Sequence, residues 1–462
     1  MLTSREKLMA GCFAVQVVAA VAFGGVLVHG LRHDRLGTTT LSSAGLPGAS
    51  GAPNTQSSAG PILGSGASPV AGGRPGSGST QTTGGNVAAT GGGGRTTAGT
   101  PAGNSEIAAG APIRIGSIVT QSGAINFKSS AQGTKAYLDM INASGGIDGH
   151  KLELIQYDDQ LSASTGQSEF KSLAAQGIFT YAAFNAPATE GGLKQLLDGI
   201  GIPLLGSYGM YDEFHDNLAF SFTAASVHYG YEMGAYLKKL GVKKPALIYV
   251  TNADSRVNAQ VDSGFTKGFG AAPTYKAVKQ PTDSYQNDVT QMRINGVDGL
   301  ASVLDVGSYQ RFLQAAGSYA QQLKHVADPL FDVPAIKSLS NSDGTYVASD
   351  LEFVDSSNPK VQAYTKAVTT AFGTAAQIDY IGLVGWMDAA LLVDALKSMH
   401  GVYTKAGLVK AVEGLGTYHT GISSPLLFAT GKRDINRCLQ FGKLSGGKVV
   451  PTQGYTCDAQ AP

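Results

Sequence analysis

Two adjacent carboxylates, Asp158 and Asp159, are the pair in this chain whose types and spacing come closest to acid and base chemistry. Nothing around them completes a catalytic set. No G-x-S-x-G elbow, H-E-x-x-H pair or G-x-x-x-x-G-K-[ST] loop occurs in the sequence, so the nucleophile, zinc and phosphate chemistries of those motifs have no foothold. The eight histidines are scattered, and His215 and His228 lack the spacing of a metal pair. Both read as surface or loop residues. No enzyme activity, metal or cofactor is expected.

The element that positions Asp158 and Asp159 is a strand end. Residues 112–159 hold two strand-like runs around one helix-like run, the unit from which parallel sheets are built. Ile113, Ile115, Ile118 and Val119 form the first strand, followed by the turn Gln121-Ser122-Gly123. From Ala131, Thr134, Leu138 and Ile141 recur on one helical face until Ser144-Gly145-Gly146 stops it. Leu152, Leu154 and Tyr157 mark the second strand. The alternation continues through a strand at 178–184, the loop 185–189, a helix to Leu197, and a strand at 203–205 ending in Ser207-Tyr208-Gly209. A second series has strands at 246–250 and 299–305 with helices at 257–269 and 309–316; then come 346–353 as strand, 361–372 as helix, and a helix at 385–396 apolar nearly all round. The fold class is α/β. In open α/β sheets ligands sit outside the carboxyl ends of the strands, so the Ser122 loop and the segments aligned with it are the place to look.

Ser122-Gly123, the run Asn142-Ala143-Ser144-Gly145-Gly146-Ile147-Asp148-Gly149 and the strand end Tyr157-Asp158-Asp159 occur in fixed order, and in this the chain resembles the Leu/Ile/Val-binding protein family. These are the substrate-binding proteins of ABC transporters with the type I periplasmic-binding fold. The resemblance reaches, more faintly, to about Lys448, and Trp386-Met387-Asp388-Ala389 resembles the late family helix. It implies two Rossmann-like lobes joined by a three-segment hinge, with crossings near 225, 343 and 435. Lobe 1 would hold about 111–224 and 344–434, and lobe 2 about 225–343 and 435–462. Asp158-Asp159 is then a structural strand end.

The resemblance also implies a ligand site. Ser122 and the covering aromatic Phe127 come from the first loop. Asn185, Ala186 and Thr189 form the loop that holds a ligand carboxylate, with Ala186 where a serine is usual, so that only its N–H could serve. Tyr208 and Gly209 supply carbonyl and amide contacts, with Met210 replacing a threonine. Asp305 aligns with a family tyrosine that lies against the ligand, and Asp305 or Asp332 would supply the acid for an ammonium group. Read from the residues alone, a strand-end Asp is ordinarily a turn or helix cap. Phe127 and Tyr208 equally fit interlobe packing.

The rest of the chain sets the context. Its 462 residues exceed one small core, and a net charge of +1 argues against a nucleic-acid surface. Residues 8–30 are apolar except for Gln16 and His29 and would reach roughly 34 Å as a helix, enough for a bilayer core of about 30 Å. The reading for 1–36 is an uncleaved membrane anchor with a cleaved signal peptide as the rival. Residues 37–110 are mostly Gly, Ser, Ala, Thr and Pro, with almost no aromatic or large apolar residues, a composition expected to stay disordered as a tether. Cys438 and Cys457 flank the turn Ser445-Gly446-Gly447 asymmetrically, and a disulfide across a hairpin and two free thiols both remain open. The expected function is an extracytoplasmic solute-binding protein anchored by residues 8–30, capturing a small polar molecule, an amino acid or a related amide or organic acid, for an ABC permease. The alternative is a ligand sensor of the same fold working with a separate signalling partner.

Overall fold

The computed structural model describes residues 105–252 and 254–458. The expected span at 8–30 and tether at 37–110 lie outside them. Among the described residues, no helix is long and apolar enough to cross a membrane.

Short, largely apolar runs bounded by turns make strands buried on both faces, and such strands form the centres of two separate sheets. The first contains β1 (Ile113–Ile118), β2 (Leu152–Tyr157), β3 (Thr180–Phe184), β4 (Leu204–Ser207) and β5 (Ala219–Phe220) in the order β2-β1-β3-β4-β5, all parallel. The second contains β6 (Pro245–Val250), β7 (Tyr275–Lys279), β8 (Gly299–Val303), β9 (Lys324–Ala327) and β10 (Tyr346–Ser349) in the order β7-β6-β8-β9-β10. Both sheets therefore have the same doubly wound order, and each has its topological switch between its first and third strands. Between β10 and the last hairpin lies a small pair, β11 (Thr417–Tyr418) and β12 (Leu426–Leu427). β13 (Cys438–Ser445) and β14 (Lys448–Cys457) then extend the second sheet antiparallel beyond β10.

The helix Tyr380–Ser398 is buried on nearly all sides, as its sequence implied, and packs against the helix Lys128–Ala143 and the strands β3 and β4 of the first lobe. Residues 385–396 were thus the middle of a longer helix whose start is set by Asp379, which accepts a hydrogen bond from the Gly382 amide. β7 and the helix Gln286–Ile294 were not read from the sequence. β7 reads Tyr-Lys-Ala-Val-Lys with no fully buried residue, as befits an edge strand guarded by lysines.

One boundary differs from the expectation. Tyr346–Ser349 was assigned with residues 344–434 to the first lobe, but β10 pairs with β9 and β13 in the second. The second crossing therefore follows Ser349 and does not lie near 343. At the carboxyl end, Cys438 and Cys457 are joined by a disulfide and lie directly opposite each other. Irregularities in the pairing near Leu439, Phe441 and Gly442 absorb the two extra residues of β14, which is why the cysteines are asymmetric about the turn.

The three crossings are tied to one another. Asp350 receives the Ala224 amide from the first crossing at 2.7 Å and the Tyr380 hydroxyl at 2.8 Å. From the third crossing, Asn436 donates to the Phe222 carbonyl at 3.0 Å and Gln440 to the Leu351 carbonyl at 2.8 Å. His228, read from the sequence as a surface or loop residue, is fully buried beside the hinge, with Nε2 3.1 Å from Asp434.

Two helices of the second lobe, Ser226–Lys239 and Ser255–Phe269, pack backbone to backbone. Gly230 and Gly234 on one face Gly264 and Gly268 on the other, and a Cβ at any of the four would stand 2.0 to 2.6 Å from a carbonyl oxygen of the facing helix. Only hydrogen fits there. Gly264→Ala would gain about 1 kcal/mol of helix propensity but incur about 1 to 3 kcal/mol of overpacking against a main chain that cannot swing aside. Because the opposing atom is main chain, the cost falls in the upper part of that range, about 2 to 3 kcal/mol, and the expected net loss is about 1 to 2 kcal/mol of unfolding free energy in a urea titration. A midpoint equal to or above that of the wild type would contradict this packing.

Candidate functional site

The carboxyl ends of both sheets face one cavity of about 140 Å³. From the first lobe it is lined by Ile125 and Phe127 after β1, Pro187 after β3, Tyr208, Gly209 and Met210 after β4, and Tyr380 at the start of its helix. From the second lobe come Tyr229, then Tyr249 to Asn252 at the end of β6, Val303 to Asp305 after β8, and Asp328 to Leu330 after β9. Five aromatic rings thus meet in it: Phe127, Tyr208, Tyr229, Tyr249 and Tyr380. The Phe127 and Tyr208 rings lie 5.0 Å apart, close enough to stack on each other and on a guest.

Four of the nine residues expected from the sequence line this cavity: Phe127, Tyr208, Gly209 and Asp305. Their roles differ in part from those implied. The Tyr208 carbonyl accepts from Thr223 at 3.0 Å and its amide donates to Phe184 at 3.1 Å, so the ring is what it offers. Gly209, at φ +89°, allows Thr223 to close against it, since a Cβ would lie 2.1 Å from Thr223 Oγ1. Asp305 is the N-cap of the helix Val306–Ala316, with its carboxylate accepting from the Ser308 amide at 2.9 Å and the Ser308 hydroxyl at 2.6 Å. It is both a cap and part of the wall.

The other five are not brought to the cavity. Ser122 is exposed and donates to Asp158 at 2.7 Å. Asn185 is fully buried, donating to Ser130 at 2.9 Å and to Asp388 at 3.0 Å. Thr189 donates to Asp159 at 2.8 Å, and Thr120 donates to the same carboxylate at 2.6 Å. Asp158 and Asp159 thereby bind loop to loop. Asp332 is buried against Lys337, 2.9 Å away, and takes no part. Ala186 carries the largest correction. Its amide, expected to meet a ligand carboxylate, already donates to Glu190 Oε1 at 2.8 Å.

Glu190 and Glu213 are both fully buried neighbours. Burial pushes the Glu190 carboxyl up to about 7, with the Glu213 hydrogen bond and Ala186 amide opposing the rise. It pushes Glu213 well above the carboxylate range, with Glu190 adding to the rise. The protein thus supplies its own carboxyl group where a ligand carboxylate was expected. A Glu four residues after the start of the turn, reaching back to its amide, was the readable signal.

The sequence reading also missed Asp328, Tyr229, Tyr249, Tyr380, Asn252 and Asn258, all of which line the cavity. Asp328 ends β9 as Asp305 ends β8, and the same strand-end pattern could have found it. It is buried and accepts from the Tyr309 hydroxyl at 2.9 Å, and burial holds its carboxyl well above the usual range. Among the described residues no group of three or more side chains could hold a metal ion.

At the rim, Arg256 of the second lobe reaches Asp212 of the first at 2.8 Å, keeps its own neighbour Asp254 at 2.7 Å, and lies 4.3 Å over the Tyr211 ring. Asn252 donates to Met210 Sδ at 3.1 Å across the same gap.

Comparison with known proteins gives this geometry a context. The family model described as "Periplasmic binding protein" matches residues 112–448. Among solved structures, the chain is similar to a fatty acid ABC transporter substrate-binding protein from Thermomonospora curvata, with a TM-score of 0.66 and 16% identity over 75% of this chain and 93% of that one. It is similar to an ABC transporter solute-binding protein from R. palustris in complex with benzoate, with a TM-score of 0.64 and 16% identity over 75% and 98%. It is similar also to a branched-chain amino acid transporter substrate-binding protein from Streptococcus pneumoniae in complex with isoleucine, with a TM-score of 0.63 and 16% identity over 74% and 100%. No curated protein matches the chain significantly.

The Glu190 and Glu213 pair makes a pH prediction with a definite sign. An unfolded glutamate loses its proton near 4.5, whereas folded Glu190 keeps it to about 7, so between those values unfolding releases a proton. Stability contributed by the group is complete below 4.5 and is lost as pH rises through about 7, by an amount on the order of 3 kcal/mol. Glu190→Gln keeps an acceptor for the Ala186 amide and removes the titration. Chemical denaturation from pH 4.5 to 8 should show a flatter stability profile in the variant than in the wild type. Parallel profiles would show that Glu190 titrates alike in both states.

Proposed function

The chain belongs to the periplasmic binding protein family, and from that premise we propose that it is an extracytoplasmic solute-binding protein that captures a small molecule between its lobes for an ABC permease. The observation that carries the reading is the shared cavity, to which both sheets contribute their strand ends at the topological switch. Contacts from both lobes exist together only when the lobes are closed, so a ligand that makes them shifts the population toward closure. The Arg256 contacts with Asp212 and Tyr211 belong to the same closed arrangement. Residues 8–30 would hold the domain at the membrane by their length and apolar character.

The experiment is a thermal-shift panel of small solutes followed by calorimetry. A ligand at a hundredfold excess over Kd stabilises by about 2.7 kcal/mol and should raise the midpoint by a few degrees. Tyr208→Ala removes a wall of the cavity and should weaken a hit at least tenfold, about 1.4 kcal/mol. Arg256→Ala should leave association nearly unchanged and speed release by about three- to tenfold, because it breaks a contact made after encounter. Undiminished binding by Tyr208→Ala would place the ligand elsewhere and remove the interlobe reading.

A further inference from the structure

The charges around the cavity are of one sign. Among the described residues that line it there is no Lys, Arg or His, while Asp305 and Asp328 both do so. Burial pushes the Tyr208 hydroxyl far above the phenol range, and the carboxyl groups of Asp328, Glu190, Asp350 and Asp305 add to the rise. Cations close by are already committed. Arg256 is shared between Asp212 and Asp254, and Lys337 lies 2.9 Å from both Asp332 and Asp355. Burial pushes His325, which lies behind Tyr309, down to about 3 and so keeps it neutral.

An anionic guest would be desolvated here with no cation among the described lining residues to pair it, and the Ala186 amide expected to receive its carboxylate is already taken by Glu190. A cation meets the opposite situation. Asp305 and Asp328 border the cavity from the ends of neighbouring strands, and Phe127, Tyr208, Tyr229 and Tyr380 line it with rings whose quadrupoles attract a cation that meets their faces. An opposite charge beside Asp328 favours the ionised carboxylate, reversing what burial alone does to it.

We infer that the solute is an organic cation, an amine or quaternary ammonium on an apolar body, with its head toward Asp305 and Asp328 and its body among the aromatic rings. This rests on the solute-binding reading above and narrows it. It departs from a carboxylate-bearing ligand held by the Ala186 loop.

The test is calorimetry on the full chain with molecules matched in shape and differing in charge. One set is choline, 3,3-dimethylbutan-1-ol and 3,3-dimethylbutanoate; the other is benzylamine, benzyl alcohol and benzoate. The broader thermal-shift panel is run beside them. At least one cation should bind at least tenfold more tightly than its neutral partner, with no heat from the acid. Asp328→Asn should reduce that cation's affinity at least tenfold and leave the neutral partner's unchanged. Asp305→Asn, which keeps a helix-capping oxygen, should reduce it in the same selective way and serves should the first variant misfold. Binding by acidic or neutral solutes without any cation would overturn the cationic assignment while leaving solute capture standing. Silence from every charge class would overturn solute capture and the assignment with it.

Discussion

A two-lobed protein with three chain crossings works only if those crossings stay together while the lobes move, and here a buried carboxyl does much of that holding. Asp350 ends β10 with no exposure to solvent and takes the Ala224 amide on one side and the Tyr380 hydroxyl on the other. Burial raises its carboxyl above the ordinary range, and the donors from Ala224, Tyr380 and Tyr229 oppose that rise. A buried acceptor left without its donors is costly, so the first and second crossings are fixed to each other by a group that cannot be left half satisfied. The Asn436 and Gln440 amides bring in the third crossing. Tyr380 and Tyr229, which border the cavity, are thereby joined to the hinge, and the cavity wall and the hinge share side chains.

The same logic of satisfied burial explains why the expected carboxylate loop turned inward. Once Ala186 stands where a serine hydroxyl is usual, the short helix Pro187–Glu190 offers an amide, and Glu190 supplies an acceptor from within. The acids then gather: Glu190 with Glu213, Asp159 receiving Thr120 and Thr189, and Asp388 receiving Asn185.

Much of the fold was legible because parallel strands are apolar on both faces and their helices have a strong period. β1, β3 and the helix Tyr380–Ser398 are of this kind. β7 was not legible, since its lysines hide a strand at an edge, and the middle crossing near 343 came too early because 346–353 reads as one strand, whereas pairing in the second sheet ends at Ser349 and Asp350 turns to hold the crossings. Strand ends announced the site in part: Phe127, Tyr208, Gly209 and Asp305 were found there. Ser122, Asn185, Thr189 and Asp332 were not separable from site residues, because whether a polar side chain faces a cavity or a neighbouring loop depends on partners far away in sequence, such as Asp158 for Ser122 and Asp388 for Asn185. Tyr229 and Tyr380 carry no local motif at all and come to the cavity only through the hinge.

The central claim is that the lobes close on a solute held between them, and small-angle scattering with and without a saturating hit from the charge-matched panel tests it most directly. The account predicts a smaller radius of gyration on saturation, with a midpoint at the same concentration as the calorimetric titration. Full calorimetric saturation with an unchanged radius of gyration in the same samples would contradict it.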